Sequence, residues 1–188
     1  QECLDGTGAV YVLRRPGKHV LEGQPLAFVS GDVSTEAIDR LARKFVIGDR
    51  RSFEQDPIFG LQVMSEIASK ALSPGVNDAG TAIETIAGLE ELLWDYAKAK
   101  EPEDVAFAQV FVNVPEDDAL FEAAFAAMAR DGAGQIEVTV KLRKALQGLA
   151  QVEDAQFAEA ARKLANLAQD YAEAALPLQA EKAHLKSI

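Results

Sequence analysis

A chain of 188 residues, 48% apolar and 26% charged, has the composition of a globular protein with one large core or two small ones. Its net charge of −11 argues against a nucleic-acid partner, because phosphate binding requires clustered Lys and Arg. The single Cys3 excludes an internal disulfide, and two distant histidines, His19 and His184, argue against a zinc site or a catalytic triad.

The first 31 residues have the pattern of a β-ribbon. Apolar residues run from Val10 to Leu13 and again from Leu26 to Val29, and a Pro-Gly turn separates the two runs. The run PGKHVLEGQPLAFV resembles half of the barrel-sandwich of lipoyl and biotinyl carrier domains and of membrane-fusion adaptors. It lacks the hairpin lysine and flanking methionines that carry a prosthetic group, so we expect no cofactor and interpret the ribbon as a packing or assembly element.

Helical periodicity begins after Gly31. Ser34 is placed to cap a helix whose apolar residues share one face. Residues 40–51, the basic segment, contain five basic side chains against Asp49 alone: Arg40, Arg43, Lys44, Arg50 and Arg51. A local excess of +4 within a chain of −11 fits either a solvated helix face or contact with a membrane surface or anionic ligand.

Two helices are predicted next, joined by a stiff turn. Asp56-Pro57 is typical of a helix start, because the carboxylate accepts from free amides and proline presets φ. The residues that follow predict a helix from Pro57 to about Leu72. Its polar residues form only a narrow stripe, so we expect most of its circumference to be buried. Ser73-Pro74-Gly75 ends it, and Asn77 or Asp78 caps a second helix that reaches about Lys100.

The composition changes again after Pro102. Residues 105–114, VAFAQVFVNV, predict a largely buried strand, for which the amino-terminal ribbon is the expected partner. Helices follow over about 116–130, 136–151 and 154–186, with a break at Pro177. IEVTV alternates like a strand, yet a helical stripe continues beyond it, and we therefore predict a helix there. The predicted fold is α+β, predominantly helical, with a half-barrel-sandwich-like ribbon (1–31) and a helical domain (32–188) containing one central strand.

Residues 50–81 also hold the candidate site. An anion would be bound by two arginines and the polar groups of the turn, because guanidinium groups match phosphate and carboxylate oxygens; these residues are Arg50, Arg51, Ser73, Asn77 and Thr81. Asp56 and Asp78 are instead candidates for a hard metal ion. We favour a purely structural interpretation over both: both aspartates cap helices, Arg51 pairs with one of them, and 73–75 forms the turn. We assign no catalytic residue.

Over residues 47–86 the sequence resembles a bacterial family of predicted integral-membrane proteins known as domain of unknown function 2254. The segment reads IGDRRSFEQDPIFGLQVMSEIASKALSPGVNDAGTAIETI, and its clearest matches are the QDPxFGL and ALSPGxND runs. Ser52, Glu66 and Ala79 replace the family's usual Thr, Asp and Pro. The upstream RPGKHVLEGQPLA and the downstream AAFAAMAR fit the family as well.

The resemblance implies a cellular context. Family members have about four amino-terminal membrane helices followed by a soluble region, and the chain, which begins at Gln1, is expected to be that region. It implies a domain on the cytoplasmic face of the bacterial inner membrane, in contact with its own transmembrane region and assembled as a homo-oligomer. The expected role is assembly or regulation of a channel or transporter, with ligand binding at 50–81 as the alternative.

Overall fold

The computed structural model describes residues 8–99 and 107–188, which form two compact units. The sheet unit comprises Gln1–Pro57 and Pro102–Val114, and the helical unit comprises Ile58–Glu101 and Pro115–Ile188. The α+β, predominantly helical fold class is confirmed. The domain division at residue 31 stays a prediction.

The sheet unit contains a three-stranded sheet in the order β2-β1-β3, with β1 at Ala9–Val12, β2 at Ala27–Ser30 and β3 at Val110–Val112. β1 pairs antiparallel with β2, which confirms the ribbon, and parallel with β3, which confirms the expected strand partner. Tyr11 lies opposite Phe28 on one side and Phe111 on the other.

The strand predicted at 105–114 is present in part, but the prediction that it is largely buried is wrong. β3 covers three residues, of which Phe111 and Val112 are exposed, and residues 105 and 106 lie outside the described ranges. β-branched and aromatic residues indicate a pleated strand without indicating how many of its faces are covered. β3 is an edge strand, which leaves more of it open to solvent.

The sheet unit also contains helix α1, Thr35–Ala42. The predicted cap is present, because Ser34 Oγ accepts a hydrogen bond from the Ala37 amide at 3.2 Å. After α1 the amides of Lys44 and Phe45 donate to the carbonyls of Leu41 and Ala42, and the backbone is then irregular up to Asp56. The basic segment therefore starts in the last turn of α1 and ends in a loop.

The helical unit is built almost entirely from helices. They are α2 (Pro57–Ala71), α3 (Ala79–Lys98), α4 (Asp117–Phe121), a π-helical turn (Glu122–Ala126), α5 (Ala127–Asp131), α6 (Ile136–Leu149), α7 (Ala155–Ala175) and α8 (Gln179–Ser187). Their core contains Phe121, Phe125 and Phe157, each at most 1% exposed. Phe121 and Phe157 pack edge to face with ring centroids 4.8 Å apart, a favourable aromatic geometry.

Helix periodicity is confirmed in this unit where the local pattern was ambiguous. The IEVTV run forms the first turns of α6, and Val138, Leu142, Ala145, Leu146 and Leu149 are buried along one stripe. Burial of α2 is less extensive than predicted, because Ile67 is exposed while Leu61, Ser65, Ala68 and Ala71 are buried. A stripe of polar residues sets the minimum exposed face of a helix, and the neighbouring helices decide how much more stays open.

Candidate functional site

In the sheet unit, Arg51 and Asp56 face each other. Arg51 Nε donates to Asp56 Oδ2 at 2.6 Å. The Asp56 side chain is 7% exposed and that of Arg51 34%, so the pair holds an almost buried carboxylate against a guanidinium that reaches solvent. A charge-assisted bond offsets the cost of removing that carboxylate from water. The predicted pairing of Arg51 with one of the two aspartates is confirmed, and that aspartate immediately precedes the first residue of α2.

Gly17, in the ribbon turn, completes this arrangement and was missed from the sequence. Its φ of +79° is a left-handed conformation that favours glycine. A Cβ added at Gly17 would overlap the Asp56 carboxylate and lie 3.0 Å from Arg51 Nε. The main chain at Gly17 therefore lies directly against the ion pair. The Pro16-Gly17 step indicated a turn, but nothing local indicated what the turn packs on.

In the helical unit, the turn after α2 is closed by its own hydrogen bonds. Ser73 Oγ donates to the Lys70 carbonyl at 2.6 Å, and the Ser73 carbonyl accepts from the amides of Val76 and Asn77. Asn77 has φ +50°, a left-handed conformation that asparagine tolerates better than most residues, and its Oδ1 accepts from Gln135 Nε2 at 3.3 Å. Ser73 and Asn77 thus both have partners within the fold.

Asp78 caps α3, as one of the two predicted candidates. Its Oδ1 accepts from the Thr81 amide at 3.1 Å and its Oδ2 from the Thr81 hydroxyl at 2.6 Å. The Thr81 hydroxyl, followed by the Thr81 amide, holds the pKa of Asp78 below its ordinary value. Capping therefore engages both oxygens of this carboxylate, as well as the candidate anion ligand Thr81.

The predicted site residues thus form two sets. Arg51 and Asp56 come together in the sheet unit, and Asp78 and Thr81 come together in the helical unit. Arg50 is exposed. Within the described ranges no three His, Cys, Asp or Glu side chains gather in a group able to hold a metal ion. The anion and metal assignments stay predictions.

The exposed face of the sheet carries an aromatic row that the sequence analysis did not identify. Phe28, Tyr11 and Phe111 lie side by side on β2, β1 and β3, with exposures of 59%, 44% and 50%. The Tyr11 and Phe111 rings stack with centroids 5.0 Å apart and an 11° angle between planes. Alternation along β1 was visible in the sequence, but neighbours across strands require the register.

A small cavity within the helical unit is not a substrate site. It measures about 10 Å³ and is lined mainly by apolar residues of α5, α6, α7 and α8, with Thr139, Arg143 and Gln169 as its polar members. That volume accommodates at most about one water molecule. Arg143 Nη1 donates to Gln169 Oε1 at 2.7 Å, which makes this corner a packing feature with one internal polar link.

A family model described as "Predicted membrane protein (DUF2254)" matches residues 3–148, which include the ribbon, the Arg51–Asp56 pair and the α2–α3 turn. The chain belongs to the DUF2254 family. Among the described residues of this DUF2254 chain, no helix combines the length and apolar character needed to cross a bilayer.

Relatives of this DUF2254 chain include uncharacterized proteins of Mycobacterium bovis and of two Mycobacterium tuberculosis strains. Each is 41% identical over 66 residues, which is 35% of this chain and 13% of the relative. The matched segment therefore spans only about an eighth of those proteins. No solved structure matches the chain.

Proposed function

We propose that this DUF2254 chain is a cytoplasmic domain of a bacterial inner-membrane protein, where it assembles subunits and thereby regulates a channel or transporter. The family description supports the membrane context. The exposed aromatic row Phe28–Tyr11–Phe111 carries the assembly part of the proposal. Three adjacent aromatic side chains, each about half exposed, form a patch of the kind that marks interaction surfaces.

The partner we propose for this row is a second copy of the chain. Two-fold interfaces bring the same patch together from both copies, so such a patch must be self-complementary. The row has phenylalanine at each end and tyrosine in the middle, so it presents the same apolar profile in either direction. Moreover, none of the three strands contains a charged residue that would repel its own copy.

The area of the row indicates the strength of this association. An aromatic side chain buries about 150–250 Å² when fully packed, so three half-exposed rings offer roughly 300 Å² per copy. A standard stable interface buries about 800 Å² per partner. Pairing of free chains is therefore weak, and anchoring in one membrane strengthens it by raising the effective concentration.

Sedimentation equilibrium up to about 1 mM protein tests this proposal. We expect a reversible dimer that Phe28→Ser with Phe111→Ser abolishes. Leu167→Ser with Leu178→Ser, which changes two exposed apolar residues of the helical unit, is the matched control and leaves the dimer intact.

A second measurement detects the geometry of the dimer. On a Cys3→Ser background, Ser30→Cys places a thiol on the same sheet face as Phe28, two residues along β2. We expect oxidation to link two copies through this cysteine, and not through Glu159→Cys on α7. A monomer at every concentration, with equal cross-linking from both positions, contradicts the proposal.

Anion binding near Arg50 is the second candidate function. The observation that favours it is the exposed Arg50 guanidinium, which takes part in no ion pair within the described residues. Thermal unfolding with inorganic phosphate, Mg²⁺ and Ca²⁺ tests both ligand assignments. If phosphate stabilises the chain and Arg50→Gln removes the effect, an anion site is supported. If a metal ion stabilises the chain and Asp56→Asn or Asp78→Asn removes the effect, a metal site is supported. Absence of stabilisation by any of these ions contradicts both assignments.

A further inference from the structure

We propose that the basic segment, residues 40–51, docks onto an anionic lipid surface, with Val46 and Ile47 inserted among the lipids. This inference goes beyond the assembly role and does not require self-association. It concerns one stretch of the sheet unit, and it rests on exposure, charge and the way the two ends of the segment are held.

The apolar part of the segment is two adjacent β-branched residues without cover. Val46 is 90% exposed and Ile47 68% exposed, in a part of the chain without regular secondary structure. Single exposed apolar residues are common on protein surfaces. Two adjacent ones at the middle of a basic segment are the combination found in membrane-surface elements, where apolar residues enter the boundary of the acyl chains and cations meet the headgroups.

The cationic part surrounds these two residues. Arg40, Arg43, Lys44 and Arg50 are exposed, and no ion pair within the described residues engages any of them. Arg51 is bound to Asp56, so it contributes less to the free charge than the sequence suggested. Asp49 is the one carboxylate inside the segment, and Asp39 and Glu54 flank it.

The distribution of charge over the two units favours this segment as the docking element. The helical unit carries eleven basic and nineteen acidic side chains, a net −8, and is repelled by an anionic surface. The sheet unit carries eight basic and eleven acidic side chains, a net −3, and five of its eight basic side chains lie in the basic segment. The basic segment is therefore the largest cluster of cations in the sheet unit, ahead of Arg14, Arg15 and Lys18 in the ribbon turn.

Both ends of the segment are held by the fold. At the start, the amides of Lys44 and Phe45 bond to the last carbonyls of α1. At the end, Arg51 is bound to Asp56, against which Gly17 packs. A loop anchored at both ends presents Val46 and Ile47 with less loss of conformational freedom on binding than a loose tail does.

Vesicle flotation of the purified chain tests the inference. We expect binding to vesicles of phosphatidylglycerol and phosphatidylethanolamine at low salt, weaker binding at high salt, and none to phosphatidylcholine vesicles. Arg43→Gln with Lys44→Gln removes two cations and is expected to lower partitioning roughly 25-fold, about fivefold for each. Val46→Ser with Ile47→Ser keeps every charge and is expected to lower it at least about tenfold.

Matched controls change the same chemistry elsewhere. Lys98→Gln with Lys144→Gln removes two exposed cations of the helical unit, and Leu178→Ser removes an exposed apolar side chain there. Neither is expected to change flotation by more than about twofold. Phe28→Ser with Phe111→Ser is also expected to float normally, which separates this inference from the assembly proposal.

Insertion has its own readout. On a Trp94→Phe background, which removes the single tryptophan, Val46→Trp reports the environment of the loop and Leu178→Trp reports a control position. We expect a blue shift and quenching by brominated lipid for Val46→Trp and neither for Leu178→Trp. Absence of flotation on anionic vesicles, equal losses from the control variants, or flotation with an unchanged spectrum for Val46→Trp overturns the inference.

Discussion

The two units bury their aromatic residues to opposite extents. In the helical unit Phe121, Phe125 and Phe157 are completely enclosed, whereas in the sheet unit Tyr11, Phe28 and Phe111 are about half exposed. Aromatic residues therefore have different roles in the two units. The first three fill a core from which water is excluded, and the second three form part of the surface. The difference leads us to expect that stability resides chiefly in the helical unit, and under the proposed function the exposed rings of the sheet unit form a recognition surface.

The largest effect that tests this comparison is the loss of a core ring. Phe157→Ala removes a buried side chain that packs edge to face on Phe121, and should lower the free energy of unfolding by about 3–5 kcal/mol. Phe28→Ala, the matched change in the sheet, should cost less than about 1 kcal/mol because half of its surface already meets solvent. Urea unfolding followed by circular dichroism measures both values. Similar costs would show that the two units do not divide stability and recognition in this way.

A smaller effect tests packing inside the sheet unit. Gly17→Ala and Gly23→Ala both place a Cβ at a positive φ, +79° and +83°, which costs about 1–2 kcal/mol. At Gly17 the new methyl group also overlaps the Asp56 carboxylate, whereas at Gly23 it meets open space. Gly17→Ala should therefore destabilise by about 1–3 kcal/mol more than Gly23→Ala.

Hydrogen exchange of the β1 and β2 amides measures this difference without relying on unfolding of the whole chain. We expect faster exchange in Gly17→Ala than in Gly23→Ala, and little change in the amides of α6 and α7 for either variant. Equal exchange in the two glycine variants would mean that Gly17 does not pack on the Asp56 carboxylate.

The smallest effect concerns pH and belongs to the helical unit. Because hydrogen bonds from Thr81 hold the pKa of Asp78 below its ordinary value, the carboxylate stabilises the folded state above its unfolded-state pKa. That contribution is lost as the pH falls through the lower folded-state pKa. Thr81→Val removes the strongest donor, so the pKa of Asp78 should rise toward its ordinary value and acid should loosen the start of α3 at a higher pH.

Carboxyl resonances followed during a pH titration give the pKa of Asp78 directly. Thr85→Val is the control, because the Thr85 hydroxyl donates to the Thr81 carbonyl and not to a carboxylate. An unchanged pKa for Asp78 in Thr81→Val, or an equal change in Thr85→Val, would disprove the role given to the Thr81 hydroxyl.

Signals within a few residues predicted the helices and part of the candidate site. Ser34 and Asp78 cap the helices as expected, Pro57 starts α2, and Arg51 pairs with Asp56. These predictions succeed because a cap, a proline start and a five-residue ion pair depend on local geometry. The IEVTV run is helical in α6 because burial of the apolar stripe along the whole helix outweighs the strand preference of these five residues.

Contacts between residues far apart in the chain could not be predicted from the sequence in this way. Gly17 packs on a carboxylate 39 positions later, and the aromatic row joins residues of three strands by register. The exposure of Phe111 and Val112 contradicts the buried strand that their composition indicated. A pattern of apolar residues indicates which side chains would be stabilised by burial, but not which of them the fold covers.

The sequence by itself determined where the helices begin and end, the acidic balance of the chain, its basic segment and its family resemblance, because periodicity, capping and charge are properties of neighbouring residues. Only the tertiary structure decided that Arg51 and Asp56 lie against Gly17, that Val46 and Ile47 are left uncovered, and that three aromatic rings share one open face. These features depend on strand register and on which surfaces the fold covers, and both are set by contacts between residues far apart in the chain.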